Sequence, residues 1–199
     1  MNRKFAPVHT DEAPFIIARE WFDRGSRESD SVYAFISYWI TFNQLYNYDA
    51  EDIGSDRDKI MDFIRRHSDI FISCVDFNAD YLDVFMESPV MAEDVRAPEL
   101  DWSYESEHAL TDRLYAAVGS RVYNRRKCAD IVAGHIDLID DDIAPLKRIR
   151  ILFSYIYQVR NNLFHGHKTP SPERNWRLVD SSAQILEACL PDLMKAIFK

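Results

Sequence analysis

The sequence predicts an all-α protein, an up-and-down helical bundle, on three observations. Apolar residues recur at steps of three and four in nearly every segment, only five glycines occur in 199 residues, and no stretch alternates apolar and polar residues as a half-buried strand does. Apolar residues make up 47% of the chain and aromatics 13%, enough to fill a core and too many for an intrinsically disordered chain. A chain of this length can bury one sizeable core. The expected division is an N-terminal helical extension over 1–29 and a main helical domain over 30–199, with a loop and inserted helices near 88–140.

Thr10 or Asp11 can cap a first helix reaching Phe22, with Phe15, Ile16, Ala18 and Trp21 apolar and Arg24-Gly25-Ser26 ending it. Asp30 or Ser31 caps a second helix, on which Val32, Phe35, Ile36, Trp39, Phe42, Asn43 and Tyr46 form an aromatic stripe suited to a core or an interface. Asn43 stands out within it. An amide on an apolar face must find partners, so Asn43 is expected to brace a helix end, either structurally or behind a catalytic centre. A polar turn then leads to helices over Asp56–Arg66 and 68–86, with Ile60, Phe63, Ile64, Ile70, Phe71 and Val75 turned inward.

Pro89 and Pro98 prevent regular helix over 88–104, an acidic stretch that reads as a surface loop. Helices over 105–123 and 125–140 follow, and Asp140-Asp141-Asp142 reads as a turn whose last Asp caps the next helix. That helix starts at Pro145. Its stripe is Ile149, Leu152, Phe153, Ile156, Val159 and Leu163, and Gly166 with Pro170 ends it. Ser171 and Pro172 begin a last helix carrying Trp176, Val179, Ala183, Leu186, Leu190, Leu193 and Ile197, which Pro191 is expected to kink or divide.

Several function classes fall away on composition. The most apolar run, 33–42, is far shorter than the roughly 20 residues that span a bilayer. No membrane association is expected. Met1-Asn2-Arg3-Lys4-Phe5-Ala6-Pro7 lacks a signal-peptide apolar core, and Cys74, Cys128 and Cys189 are odd in number with no Cys-x-x-Cys pair. Free thiols and a cytoplasmic location are expected. Neither cysteines nor histidines cluster at metal-ligand spacing, so no metal and no cofactor is predicted.

A net charge of −9 argues against a general nucleic-acid binder, but the charge is unevenly spread. Residues 147–177 hold Lys147, Arg148, Arg150, Arg160, Lys168, Arg174 and Arg177 against the single acid Glu173, a net of +6 that leaves −15 elsewhere. Such an island suits capture of a phosphate backbone, although Lys147, Arg148 and Arg150 also fit a plain solvated face. Arg121, Arg125, Arg126 and Lys127 form a second basic cluster open to the same two readings.

Inside the island lies Arg160-Asn161-Asn162-Leu163-Phe164-His165-Gly166. At about 100° per residue Asn161 and His165 are roughly 40° apart on the helix surface, and Arg160 with His165 about 140°. A guanidinium can grip a phosphate through two nitrogens, and an imidazole can move a proton near neutral pH. Phosphodiester cleavage needs that pairing. The alternative is that Arg and His simply sit well at the negative end of a helix dipole.

At Arg160, Asn161, His165 and Gly166 the chain resembles the HEPN family, whose signature is Arg, a polar residue, a short spacer and His, commonly followed by Gly. Residues 39–47 look like the aromatic first helix of several HEPN groups and 180–198 like the closing helix. The resemblance covers 30–199 and is loose over 50–140. It implies a metal-independent endoribonuclease acting as a homodimer, with His165 as general base and acid, Arg160 on the phosphorane and Asn161 orienting either Arg160 or the scissile phosphate. His167, Lys168, Arg174 and Arg177 would then hold RNA. The products would carry 2′,3′-cyclic phosphate ends, and a toxin or defence role with a cognate antitoxin would fit. The alternative is a noncatalytic module that uses the same basic end to bind RNA, a nucleotide or a protein.

Overall fold

The computed structural model describes residues 13–49, 54–77, 79–87, 106–118, 124–164 and 173–198. Every regular element among them is helical: α1 (Ala13–Gly25), α2 (Ser31–Asp49), α3 (Asp56–Arg66), α4 (Ser68–Cys74), α5 (Asp83–Glu87), α6 (Glu107–Val118), α7 (Arg125–Ile139), α8 (Pro145–Phe164) and α9 (Glu173–Ile197). The chain divides into two compact units, residues 1–81 with 170–199, and residues 82–169. The first helix is therefore part of a larger unit. None of the described helices is long and apolar enough to cross a membrane.

The first unit is organised by α2, against which α1, α3 and α9 pack. Phe35, Tyr38, Trp39, Phe42, Leu45 and Tyr46 are buried, more than one face of a helix can hold, because neighbours approach from several sides. The Phe42 ring meets Trp39, Tyr46, Phe63 and Phe71 edge-on at 5.6, 5.4, 5.7 and 6.5 Å. Such pairs contribute about 0.5–1.5 kcal/mol each beyond their buried area. The aromatic stripe is thus core. Val32, Ile36 and Asn43 at its edge are only partly buried.

Polar contacts fix how these helices sit. Thr41 Oγ1 donates to the Ala18 carbonyl at 3.2 Å, and the Ser31 hydroxyl donates to the Asp180 carboxylate. Burial, and secondarily a hydrogen bond to Glu187, push the Tyr38 phenol well above its ordinary pKa, so it stays a donor to α9. The Asp30 carboxylate accepts the Val32 amide at 2.8 Å, the cap predicted for α2. At α3, Ser55 and Asp58 form a capping box after Gly54, which adopts φ +48.

One expectation fails in this unit, and of the two outcomes offered for Pro191, division is not seen. Helix α4 stops at Cys74 instead of running through 86, and the chain resumes in a 3₁₀ turn, Asp80–Leu82, and the short α5. Val75-Asp76-Phe77-Asn78 is a run of weak helix formers, and Val75 is already extended at ψ 110. Pro191 does not divide α9, which runs through it. Buried Leu186, Cys189 and Leu190 before the proline and Leu193 and Met194 after it hold both halves to the core. Trp176 is exposed and leaves the predicted stripe, which is otherwise buried from Val179 to Leu193.

The second unit is built on α7, which packs against α5, α6 and α8. Leu110, Leu114, Cys128 and Val132 form its core, with Tyr115, Ile131 and Ile136 packed on them. Asn124 caps α7 by accepting the Lys127 amide at 2.8 Å. On α8 the predicted stripe Ile149, Leu152, Phe153, Ile156 and Val159 is buried.

The turn into α8 departs from expectation. Asp142 is not the cap: Lys147 and Arg148 donate their amides to the Ala144 carbonyl at 2.8 and 3.3 Å, and Asp142 donates its own amide to Asp140 Oδ1. Arg148 is 7% exposed and does not belong to a solvated face. Its Nε donates to the Leu138 carbonyl and its Nη1 to Asp141 Oδ1, both at 2.8 Å. A carbonyl at the end of α7 needs a donor from outside the helix, and Arg148 supplies it.

Candidate functional site

Arg160 and Asn161 stand one after the other near the C-terminal end of α8, in the second unit. The buried stripe fixes the rotation of that helix and leaves both side chains partly exposed. Arg160 Nη1 donates to Asn161 Oδ1 at 2.9 Å, and the guanidinium lies over the Phe164 ring, 5.0 Å from its centre. The amide fixes one edge of the fork and the ring supports its face. Both groups are neutral, and each helps to hold the guanidinium in place.

Phe164 was not among the residues expected to matter. It is 50% exposed at the last position of α8, and its spacing of four from Arg160 puts the two on one helix face. That spacing was the available signal. Asn162, also unassigned, is buried at 6% and accepts a hydrogen bond from Gln158 Nε2 at 3.0 Å. Of the two adjacent asparagines, Asn161 therefore serves the arginine and Asn162 the interior. On the same helix, burial pushes the Tyr155 phenol up, so its proton stays on.

The other expected site residues are spread over the chain. His165, Gly166, His167 and Lys168 lie outside the described residues, as do Arg121, Ser171, Pro172, the 88–104 loop and the N-terminal segment through residue 12. Arg174 is in the first turn of α9, with its side chain outside the described set. Arg177 is partly buried on α9 and belongs to the first unit. Asn43 is in that unit too, where its carbonyl and amide oxygens both accept from the Asn47 amide one turn on. Arg160 and Asn161 are the predicted pair that hydrogen-bonding brings together.

Two members of the basic island are matched by acids just outside it. Lys147 Nζ lies 2.8 Å from Asp137 Oδ2, and Arg148 contacts Asp141. In the second basic cluster Arg125 lies 2.6 Å from Asp112 Oδ1, and both contact His108, along an open cleft of about 470 Å³ between α6 and α7. Among the described residues no three His, Cys, Asp or Glu side chains are grouped to hold a metal ion.

The fold and this pair define an all-helical protein presenting an arginine, an amide and an aromatic ring near a helix C-terminus. No protein family, curated protein or solved structure matches the chain.

Proposed function

We propose that the chain is a metal-independent endoribonuclease of HEPN type, acting as a homodimer through Arg160, Asn161 and His165. The observation that carries this reading is the Arg160–Asn161 hydrogen bond at 2.9 Å beneath a guanidinium seated on Phe164. A helix-end arginine serving only the dipole needs neither an amide partner nor a ring beneath it. An arginine fixed in place by such contacts is preorganised for an anion, the arrangement that stabilises developing charge at least cost. Packing of α2 on α9, the helices of the two flanking segments that look like HEPN helices, also supports the reading.

In the proposed reaction His165 takes the proton of the ribose 2′-hydroxyl, whose oxygen attacks the adjacent phosphorus. The second protomer's His165 protonates the departing 5′-oxygen. Arg160 bears the extra charge on the phosphorane, and Asn161 keeps Arg160 in register. The products are a 2′,3′-cyclic phosphate and a 5′-hydroxyl. His167, Lys168, Arg174 and Arg177 would hold the strand, and a toxin or defence role with a protein antitoxin remains part of the proposal.

The test is end-labelled RNA incubated in EDTA with wild type, Arg160→Ala and His165→Ala. Cleavage with cyclic phosphate ends is expected, lowered about 10²- to 10⁴-fold by His165→Ala. Cleavage abolished by EDTA, or equal in wild type and His165→Ala, overturns the proposal. Light scattering should give a dimer, and a monomer that cleaves overturns the composite site.

A further inference from the structure

Phe164 is the last residue of α8 and is 50% exposed, whereas Ile149, Leu152, Phe153, Ile156 and Val159 on the same helix are buried. A single apolar side chain on a surface is ordinary and by itself points to nothing. This one carries a cation. The Arg160 guanidinium lies over the ring, 5.0 Å from its centre, and its Nη1 donates to Asn161 Oδ1 at 2.9 Å. Arg160 covers part of the ring, and the exposed half of the side chain is open to solvent. The other large hydrophobics that are exposed among the described residues, Tyr33 and Trp176 among them, belong to the first unit.

We propose that Phe164 is a base-stacking residue: an unpaired nucleobase of RNA lies on its exposed face while Arg160 holds the phosphate of the same nucleotide. This role belongs to the proposed nuclease site and rests on Arg160 being its phosphate-binding residue. One ribose joins a nucleotide's phosphate to its base, so a cation and a ring side by side can be served by one nucleotide. A guanidinium binds the phosphate, and every base offers a π-face on which an aromatic ring can stack.

In a duplex that face is covered by the neighbouring base pairs. An unpaired stretch leaves it open, and aromatic side chains accordingly engage RNA in loops, bulges and ends. The substrate class is therefore single-stranded RNA, with little preference among the four bases. Net charge points the same way. A chain at −9 repels the closely spaced phosphates of a duplex more than those of a single strand, so a contact that does not rely on charge carries more of the binding.

Binding is measured on the full-length chain carrying His165→Ala, so that absence of cleavage by wild type sinks the nuclease and leaves the stacking test intact. The probes are a fluorescent oligouridylate, the same strand annealed to oligoadenylate, and an abasic sugar-phosphate chain of equal length. The oligouridylate should bind more tightly than the other two. Adding Phe164→Ala should weaken its binding about 5- to 150-fold, the loss of one stacked base. The abasic chain should be unaffected, because Asn161 still holds Arg160. Phe164→Trp should keep the affinity, and Phe164→Leu, apolar without a π-face, should not. The slope of log K against log salt should be the same with and without Phe164→Ala, since no phosphate contact is lost. A ring that only props Arg160 would instead weaken both chains and flatten the slope by about 0.7. Light scattering should give the same oligomeric state before and after Phe164→Ala. An oligouridylate that does not bind, a duplex bound as tightly, an equal loss on the base-bearing and abasic chains, or a dimer that Phe164→Ala dissociates overturns the stacking role.

Discussion

Arg148 and Arg160 lie on one helix and serve opposite ends. Arg148 donates to the Leu138 carbonyl and Asp141, with its side chain 8% exposed against 87% for the aspartate. The solvated carboxylate contributes little by itself, as exposed partners generally do. The buried carbonyl decides the energetics, because removing its donor leaves it stranded. Arg148→Ala is therefore expected to cost about 1–3 kcal/mol, read as a lower urea midpoint at unchanged slope. Arg148→Lys should not restore it, since a single ammonium cannot reproduce a fork that serves two acceptors at once. Full stability in Arg148→Ala would place the Leu138 carbonyl elsewhere than on Arg148. Arg160 is partly exposed and held by an amide and a ring, and in the proposed mechanism Arg160→Ala should alter RNA cleavage rather than the urea midpoint.

Helices α1 and α2 meet where the last residue of α1 has no side chain. A Cβ on Gly25 would lie 2.6 Å from Tyr38 Cε1 and 2.8 Å from Cδ1, and that ring is 2% exposed. The ring cannot swing away. Gly25→Ala should therefore destabilise by about 1–3 kcal/mol, as overpacking does. Gly134 in α7 is the control, because a Cβ there meets nothing within 4 Å. Gly134→Ala should stabilise by about 0.5–1 kcal/mol through helix propensity, and thermal unfolding of both variants checks the pair. Element boundaries were legible wherever a local polar group sets them: Asp30 starts α2, and α3 occupies its predicted span after Ser55. They were misread where no side chain marks the edge. Nothing but a run of weak helix formers ends α4, and α8 begins on the Ala144 carbonyl although three aspartates precede it. At the candidate site, Arg160 with Asn161 was legible because neighbours in sequence remain neighbours on a helix. Burial of Arg148 depends on which helix packs on which, and periodicity does not encode that.

Charge is the property that the chain expresses as a whole, and it bears on how RNA would be held. A protein at −9 repels a phosphate backbone over most of its surface, so binding must come from few cations at close range. Lys147 and Arg148 are matched by Asp137 and Asp141, and the proposal draws its RNA contacts from the other cations of that stretch of sequence, Arg150, Arg160, Lys168, Arg174 and Arg177. If about three to five of them meet phosphates, log K for a single-stranded RNA should fall against log salt with a slope of about −2 to −3.5. Binding of a fluorescent oligonucleotide to His165→Ala, which cleaves far more slowly in the proposed mechanism, measures this directly. Lys168→Gln should make the slope shallower by about 0.7, one phosphate contact on a single strand. Lys147→Gln should leave it unchanged, because its charge is already met by Asp137. A slope near zero would remove RNA as the partner of the basic island, and one much steeper than −3.5 would require cations beyond it, the cluster at Arg126 and Lys127 first among them.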